Sequence, residues 1–569
     1  MPAPLDAPLP RDWWSSAVVY QIYPRSFADG DGDGIGDLRG VLDHLDHLEH
    51  LGVDVVWLSP VYRSPQDDNG YDISDYQDID PVFGSLEVMD ELIAALHGRG
   101  IRLVMDLVVN HTSDEHPWFE DSRSSPVSDR RDWYWWRPPR EGHTGGEPGA
   151  EPTDWRSFFS GPAWEFDEAT GEYYLHLFSR KQPDLNWENP QVRESVYAMM
   201  RWWLDRGVDG FRMDVINLVS KPGTLTDGDC FHSVVDGPRM HEFLAEMRRE
   251  VFADHPRAFL TVGETPGVDV DTARRYTDPE RGEVDMVFQF EHVDLGIGAG
   301  GKFDRVPVTM PELRESLMRW QTGLADRGWN SLYWDNHDQP RAVSRFGDDD
   351  PAWRERSAKT LASVLHTLRG TPYVYQGEEL GMTNLPFATL ADLRDIESLN
   401  HVAEQEVAGV GFEELLAGLR EVSRDNARTP VQWSAAPGAG FTDGEPWIGV
   451  NPNHREINAE AQVGVAGSVL EHYRALVALR HEHEVVARGG ITPLAMDHPD
   501  LWAFGRELDG VELLTLASFT REPLTLPEGL LDGWRDAAVA VSTSTEAAAG
   551  VQEGGVLLGW ESVVLLRGA

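Results

Sequence analysis

The sequence predicts an α/β chain: a (β/α)8 TIM barrel with a subdomain inserted after the third strand and an antiparallel β-sandwich domain at the C-terminal end. Three observations predict it. Eight short β-rich apolar runs alternate with amphipathic stretches from about residue 17 to 380, the pattern of parallel strands joined by crossover helices. Polar residues that core packing does not call for close several of these runs, at the strand ends where a barrel carries its chemistry. Beyond residue 490, Leu501 to Phe504, Glu512 to Ser518 and Ser562 to Leu566 alternate apolar and polar, as strands of a sandwich do.

The eight runs are Val18 to Tyr23, Val53 to Ser59, Leu103 to Asn110, Val208 to Asn217, Phe259 to Thr265, Val284 to Phe290, Ser331 to Asp338 and Pro372 to Gly377. Roughly a hundred residues separate the third run from the fourth, too many for one crossover helix. The excess is rich in Trp, Pro, Gly and charge, which suits a subdomain. The expected domains are therefore barrel 1–110, inserted subdomain 111–180, barrel 181–490 with a helical insertion at about 381–460, and the sandwich 491–569.

Charge narrows the partners. With 96 acidic and 49 basic residues among 569, the formal net charge is -47, which disfavours nucleic acid and anionic membranes. Cys230 is the single cysteine, so no intrachain disulfide forms and a reducing, cytoplasmic setting is expected. No run of about 18 apolar residues and no signal-peptide pattern occurs. The expected partner is a small molecule, and the chain is read as a monomer or small homo-oligomer.

Several strand-end residues carry possible chemistry. In Val208 to Asn217, Arg212 and Asp214 lie two apart and share a strand face, where a cation keeps a nucleophilic carboxylate ionised; a buried structural ion pair fits that pattern equally well. Glu264 follows the apolar Phe259 to Gly263, so desolvation is expected to raise its pKa, as a general acid requires. Asp338, between His337 and Gln339, adds a third carboxylate. Three in one mouth suit glycoside hydrolysis, which needs a charged and a protonated carboxyl across the scissile acetal. His111 and His337 close two runs and suit hydrogen bonds to sugar hydroxyls. Elsewhere, Asp29-Gly-Asp31-Gly-Asp33-Gly-Ile35-Gly-Asp37 places carboxylates at alternate positions of a Gly-rich loop, suited to a hard cation such as Ca²⁺. Gly40 stands where an EF-hand needs a bidentate Glu, so the loop is not of that type.

Asp106-Leu-Val-Val-Asn110-His111, Gly210-Phe-Arg212-Met-Asp214, Val262-Gly-Glu264 and Asn336-His337-Asp338, in that order, resemble the motifs of glycoside hydrolase family 13, the α-amylase family. The resemblance implies Asp214 as nucleophile, Glu264 as acid/base and Asp338 as transition-state stabiliser, with Asp72, His111, Arg212 and His337 lining the glucose subsite. Gln182-Pro-Asp-Leu-Asn-Trp187 and Asp425-Asn-Ala-Arg428-Thr-Pro-Val-Gln-Trp433 are similar to signatures of the oligo-1,6-glucosidase subfamily, which removes single glucose units from non-reducing ends. By that resemblance Arg428 and Asp72 grip the terminal glucose and make the enzyme exo-acting. The acidic loop corresponds to the subfamily's Ca²⁺ site, with Asp29, Asp31, Asp33, Asp37 and the Ile35 carbonyl as ligands and Asp31 replacing the usual Asn. Val215, after the nucleophile, resembles α-1,6-cleaving members, where α-1,4 enzymes carry Ala or Thr. The run Gln339 to Phe346 lacks the Arg-rich loop of sucrose isomerases, so hydrolysis with some transglucosylation is expected, and α-1,4 or sucrose cleavage is the alternative.

Overall fold

In the computed structural model, which describes residues 10, 12–253 and 255–568, all eight runs form strands of one parallel sheet. They are Val19–Ile22, Val55–Leu58, Arg102–Val108, Gly210–Asp214, Leu260–Glu264, Met286–Phe288, Ser331–Leu332 and Thr371–Tyr375, called strands 1 to 8 below. Each pairs with its sequential neighbour, and strand 8 returns to strand 1. Strands 6 and 7 close the barrel through a Val287–Asn330 bridge and the Ser331 hydroxyl, which donates to the Val287 carbonyl at 2.5 Å. The first five strands are buried throughout, which is why they read as continuous apolar runs.

Register aligns the functional strands. Asp106 of strand 3 sits opposite Arg212 of strand 4, which sits opposite Val262 of strand 5. Asp214 and Glu264 each stand two residues further on, on the same faces. Close approach of strands 4 and 5 requires Gly210: a Cβ there would lie 1.9 Å from the Leu260 carbonyl oxygen.

Between strands 3 and 4, Trp136–Arg137, Trp164–Asp167 and Glu172–Leu175 form a three-stranded antiparallel sheet around buried Trp135, Trp155 and Trp164. After strand 8 come the helices Ile396–Ala408, Phe412–Val422 and Asp425–Arg428. The C-terminal region holds a five-stranded antiparallel sheet (490–494, 501–508, 511–518, 562–567 and 538–542 in spatial order) and a two-stranded one, Leu524–Thr525 with Val556–Leu557. Buried Arg506 joins this region to the barrel, donating to the carbonyls of Thr367 (2.5 Å), Val486 (2.8 Å) and Gly489 (2.8 Å). Among the described residues no helix is long and apolar enough to cross a membrane.

Arg341 ties the segment 425–429 to the end of strand 8. Its guanidinium donates to the carbonyls of Gln376 (2.6 Å), Ala427 (2.9 Å) and Asn426 (3.3 Å), all in the interior. Arg341→Met leaves those carbonyls dry and unpaired, so we predict a loss of about 3 kcal/mol, read as a lower melting temperature. An unchanged melt would show that the segment is held by other contacts.

Candidate active site

Arg212 is the hub of the barrel mouth. Buried and lying over the Trp57 ring, its Nη1 donates to Asp214 at 2.5 Å and to Asp106 at 3.0 Å, while its Nη2 lies 2.7 Å from Glu264 Oε2. Asp106 also accepts from Trp57 Nε1 (3.1 Å) and the Tyr71 hydroxyl (3.0 Å). Three carboxylates thus share one cation, and full ionisation would leave the cluster at net charge -2 in a buried site. Burial drives the response: it raises the pKa of Glu264 to about 8 and of Asp214 to about 7, with Arg212 opposing and neighbouring carboxylates adding to the rise. The arrangement holds a proton at neutral pH, and Glu264 is the group that keeps it most strongly. Compared with the simple Arg212–Asp214 pair read from sequence, the guanidinium's compensation is divided three ways.

Asp338 is the counterpart. Burial opposes ionisation, but His337, when its ring is protonated, together with Arg424 and Arg428 outweighs it, and the carboxyl is held well below the usual range. Arg428 Nη2 donates to Asp338 at 2.7 Å and Arg424 Nη1 at 3.4 Å. His337 also faces Asp338, at 3.3 Å, but burial keeps its pKa near 3, so it contributes no charge at neutral pH. Gln21 Nε2 donates to His337 Nδ1 at 2.8 Å, which leaves the imidazole proton on Nε2, facing the mouth beside the stacked Tyr71 ring.

Asp72 and Arg428 do not touch each other across the mouth. Asp72 is turned into its own loop, accepting from Ser64 Oγ (3.0 Å) and the backbone N–H groups of Asp67 (2.8 Å) and Asp68 (3.0 Å). The pair that meets across the mouth is Asp68 with Arg424, at 3.0 Å, with Arg424 also bound to Asp395 and lying over the Phe159 ring. Each of these two residues stands four positions before Asp72 and Arg428 respectively. The signal was present for Arg424: with Arg428 it has i,i+4 spacing, and both guanidiniums therefore face the same carboxylate. Asp106 and Asp395 were also missed as site groups, because each acts by holding an arginine.

His111 is buried, kept neutral by desolvation with a pKa near 4, and engaged with the protein: its ring nitrogens meet the Tyr71 carbonyl (3.1 Å) and Asn110 Nδ2 (3.2 Å). Val215 occupies the left-handed region at φ 33°, ψ 42°, a strained conformation for a β-branched residue. That turn aims its N–H at Glu264 Oε2, 3.1 Å away, and packs its side chain with Leu218 and Cys230.

In the acidic loop, carboxylate oxygens of Asp29, Asp31 and Asp37 lie within 4.8 Å of one another. Burial raises the Asp37 pKa, and the Asp31 charge adds to that rise. Asp33 is not in that group, and its carboxylate accepts from the Ile35 N–H at 2.8 Å. Gly34 (φ 95°) packs against the Glu445 carbonyl, and Asp29 accepts from Thr442 Oγ1 at 2.5 Å, so the 442–447 segment braces the loop. Three converging carboxylates without an ion-paired side chain among the described residues fit a hard divalent cation.

Residues 21–489 match the family described as alpha amylase, catalytic domain. An oligo-1,6-glucosidase from Parageobacillus thermoglucosidasius is 53% identical over 90% of this chain and 91% of that protein. The trehalose-6-phosphate hydrolase of Bacillus subtilis is 48% identical over 97% of this chain and 98% of its own length. The trehalulose synthase of Pseudomonas mesoacidophila superposes with a TM-score of 0.92 at 42% identity, covering 98% of this chain and 100% of that one.

The raised Glu264 pKa has a consequence for stability. Between the ordinary carboxyl value of 4.5 and about 8 the folded state binds more protons than the unfolded state, so its stability falls as pH rises. Glu264→Gln removes that titration. We predict that the variant melts higher than the parent and that the difference widens from pH 5 to pH 8; a difference that shrinks over that range would contradict the raised pKa.

Proposed function

The chain belongs to the α-amylase family of glycoside hydrolases, and from that premise we propose that it is a retaining, exo-acting α-glucosidase that favours α-1,6 linkages. The observation that carries the proposal is the shared guanidinium. Asp214 and Glu264 are held on adjacent nitrogens of Arg212, a separation suited to direct attack by one carboxylate rather than to a water between the two.

In this reading Glu264, protonated, donates to the glycosidic oxygen while Asp214 attacks the anomeric carbon, forming a glucosyl ester and releasing the acceptor. The Glu264 carboxylate left behind is met by Arg212 and the Val215 N–H. It then takes a proton from water, whose oxygen displaces Asp214 and restores the α configuration; a sugar hydroxyl in place of water gives transglucosylation. Asp338, kept charged by Arg428 and Arg424, faces the positive charge that develops on the ring. Asp68 and Arg424 take the role expected of Asp72 and Arg428, closing the pocket on the terminal glucose. His337 Nε2–H supplies a sugar-hydroxyl donor, and His111 shapes the wall without a free nitrogen.

Linkage preference is assigned to Val215, beside the acid/base, and is supported by oligo-1,6-glucosidase and glucan 1,6-alpha-glucosidase relatives near half identity. Incubation with isomaltose, maltose and sucrose, followed by glucose release, tests it. We predict isomaltose as the best substrate, with Val215→Ala narrowing its lead over maltose by up to about 100-fold, the scale of a methyl-sized contact. A parent enzyme that prefers maltose would refute the assignment.

We further propose that the acidic loop holds Ca²⁺ through Asp29, Asp31 and Asp37, with the Ile35 carbonyl, as a structural ion remote from the chemistry, and that the enzyme works in the cytoplasm, as its single buried cysteine suits. Asp33, which lies outside the three-carboxylate cluster, is two residues from the Ile35 carbonyl and completes the loop. Chelation is predicted to lower the melting temperature and added Ca²⁺ to restore it, with Asp29→Ala insensitive to both. An unchanged parent melt would exclude the ion.

A further inference from the structure

Away from the catalytic carboxylates, Arg305, Arg345 and Arg420 line a cleft of about 560 Å3. In a chain whose acidic residues outnumber basic ones nearly two to one, these guanidiniums have uncharged partners only. Arg345 donates to Gln339 Oε1 at 2.7 Å and to the Val293 carbonyl, Arg305 to the Leu295 carbonyl at 2.7 Å, and Arg420 to the Phe387 carbonyl at 2.6 Å. None forms an ion pair among the described residues. Asp349 and Glu421 also line the cleft, and Glu421 and Asp294 are the nearest opposite charges to Arg305, with Asp294 also facing Arg345, none of them close enough for an ion pair.

Donors remain unused. Arg345 Nε is buried with no partner, and neither Nη of Arg420 nor Nη1 of Arg305 has one among the described residues. Ser344 Oγ accepts from the Asn384 N–H, which leaves its own hydrogen free. Burial lowers the Arg345 pKa to about 10, with Arg305 as a like charge adding to the fall and Asp294 and Asp335 opposing it. Crowded, partly desolvated guanidiniums of this kind are stabilised by an anion, and forked donors match phosphate oxygens two at a time.

We propose that this cleft binds a phosphate group, carried by a phosphorylated sugar or free in solution. Its volume exceeds the need of the oxyanion alone, and Val306, Leu385 and Val422 give apolar walls against which a sugar ring can lie. Two short links run between the cleft and the catalytic mouth. Gln339, which Arg345 holds, directly follows Asp338. Lys302, on the strand Gly301–Arg305, pairs at 2.6 Å with Glu397, which lies 3.4 Å from Arg424.

Calorimetric titration at constant ionic strength, with glucose 6-phosphate, inorganic phosphate and glucose as separate ligands, tests this. We expect saturable binding of at least one phosphate ligand, weakened at least about tenfold in the Arg305→Gln/Arg420→Gln double variant, whose melting curve should match the parent's. Tighter binding of glucose 6-phosphate than of phosphate identifies a sugar phosphate as the ligand, and equal binding identifies free phosphate. The inference is overturned if neither phosphate ligand saturates below about 10 mM, or if the folded double variant binds as the parent does.

Discussion

The structure depends on one guanidinium shared by three carboxylates. Arg212 cannot neutralise Asp106, Asp214 and Glu264 together, and burial makes the unpaid charge costly, so the cluster retains a proton. Division of roles follows from where that proton sits. Glu264 has its pKa raised furthest, as an acid needs, while Asp214 has the shortest contact with the cation. Asp106, fixed by Trp57 and Tyr71, keeps the guanidinium in place.

A second cationic centre faces the first. Arg424 and Arg428 rise from one short helical turn after the barrel closes, and Asp395 anchors Arg424 from behind. They keep Asp338 charged without assistance from His337, whose neutrality leaves it a hydrogen-bond donor. The same Arg424 meets Asp68 across the mouth, so the group that maintains the charge of Asp338 also closes the pocket. Closure of the pocket and the charge of its wall therefore share one guanidinium.

Most of the barrel was legible because parallel strands buried on both faces must be apolar throughout, and their polar terminal residues then stand out. Asp214, Glu264 and Asp338 were found on that ground. What local sequence could not show was partnership across the mouth. Asp72 and Arg428 sit in the right motifs, yet the loop turns Asp72 inward onto the amides of Asp67 and Asp68, and Asp68 is the residue presented to Arg424. Nor did alternation of Asp and Gly in the acidic loop reveal which carboxylates converge: Asp29, Asp31 and Asp37 do, in a loop whose backbone passes through positive φ at Gly32 and Gly34. The left-handed conformation of Val215 was equally hidden, since a β-branched residue is the last that local preference would place there.

In the proposed mechanism Asp214 forms a covalent glucosyl ester within the field of Arg212. Mass spectrometry of peptides after reaction with a slow fluorinated α-glucosyl fluoride measures this directly. A single added fluoroglucosyl group on the peptide containing Asp214 is expected. A label on another carboxylate, or no label with a product of inverted configuration, would contradict it.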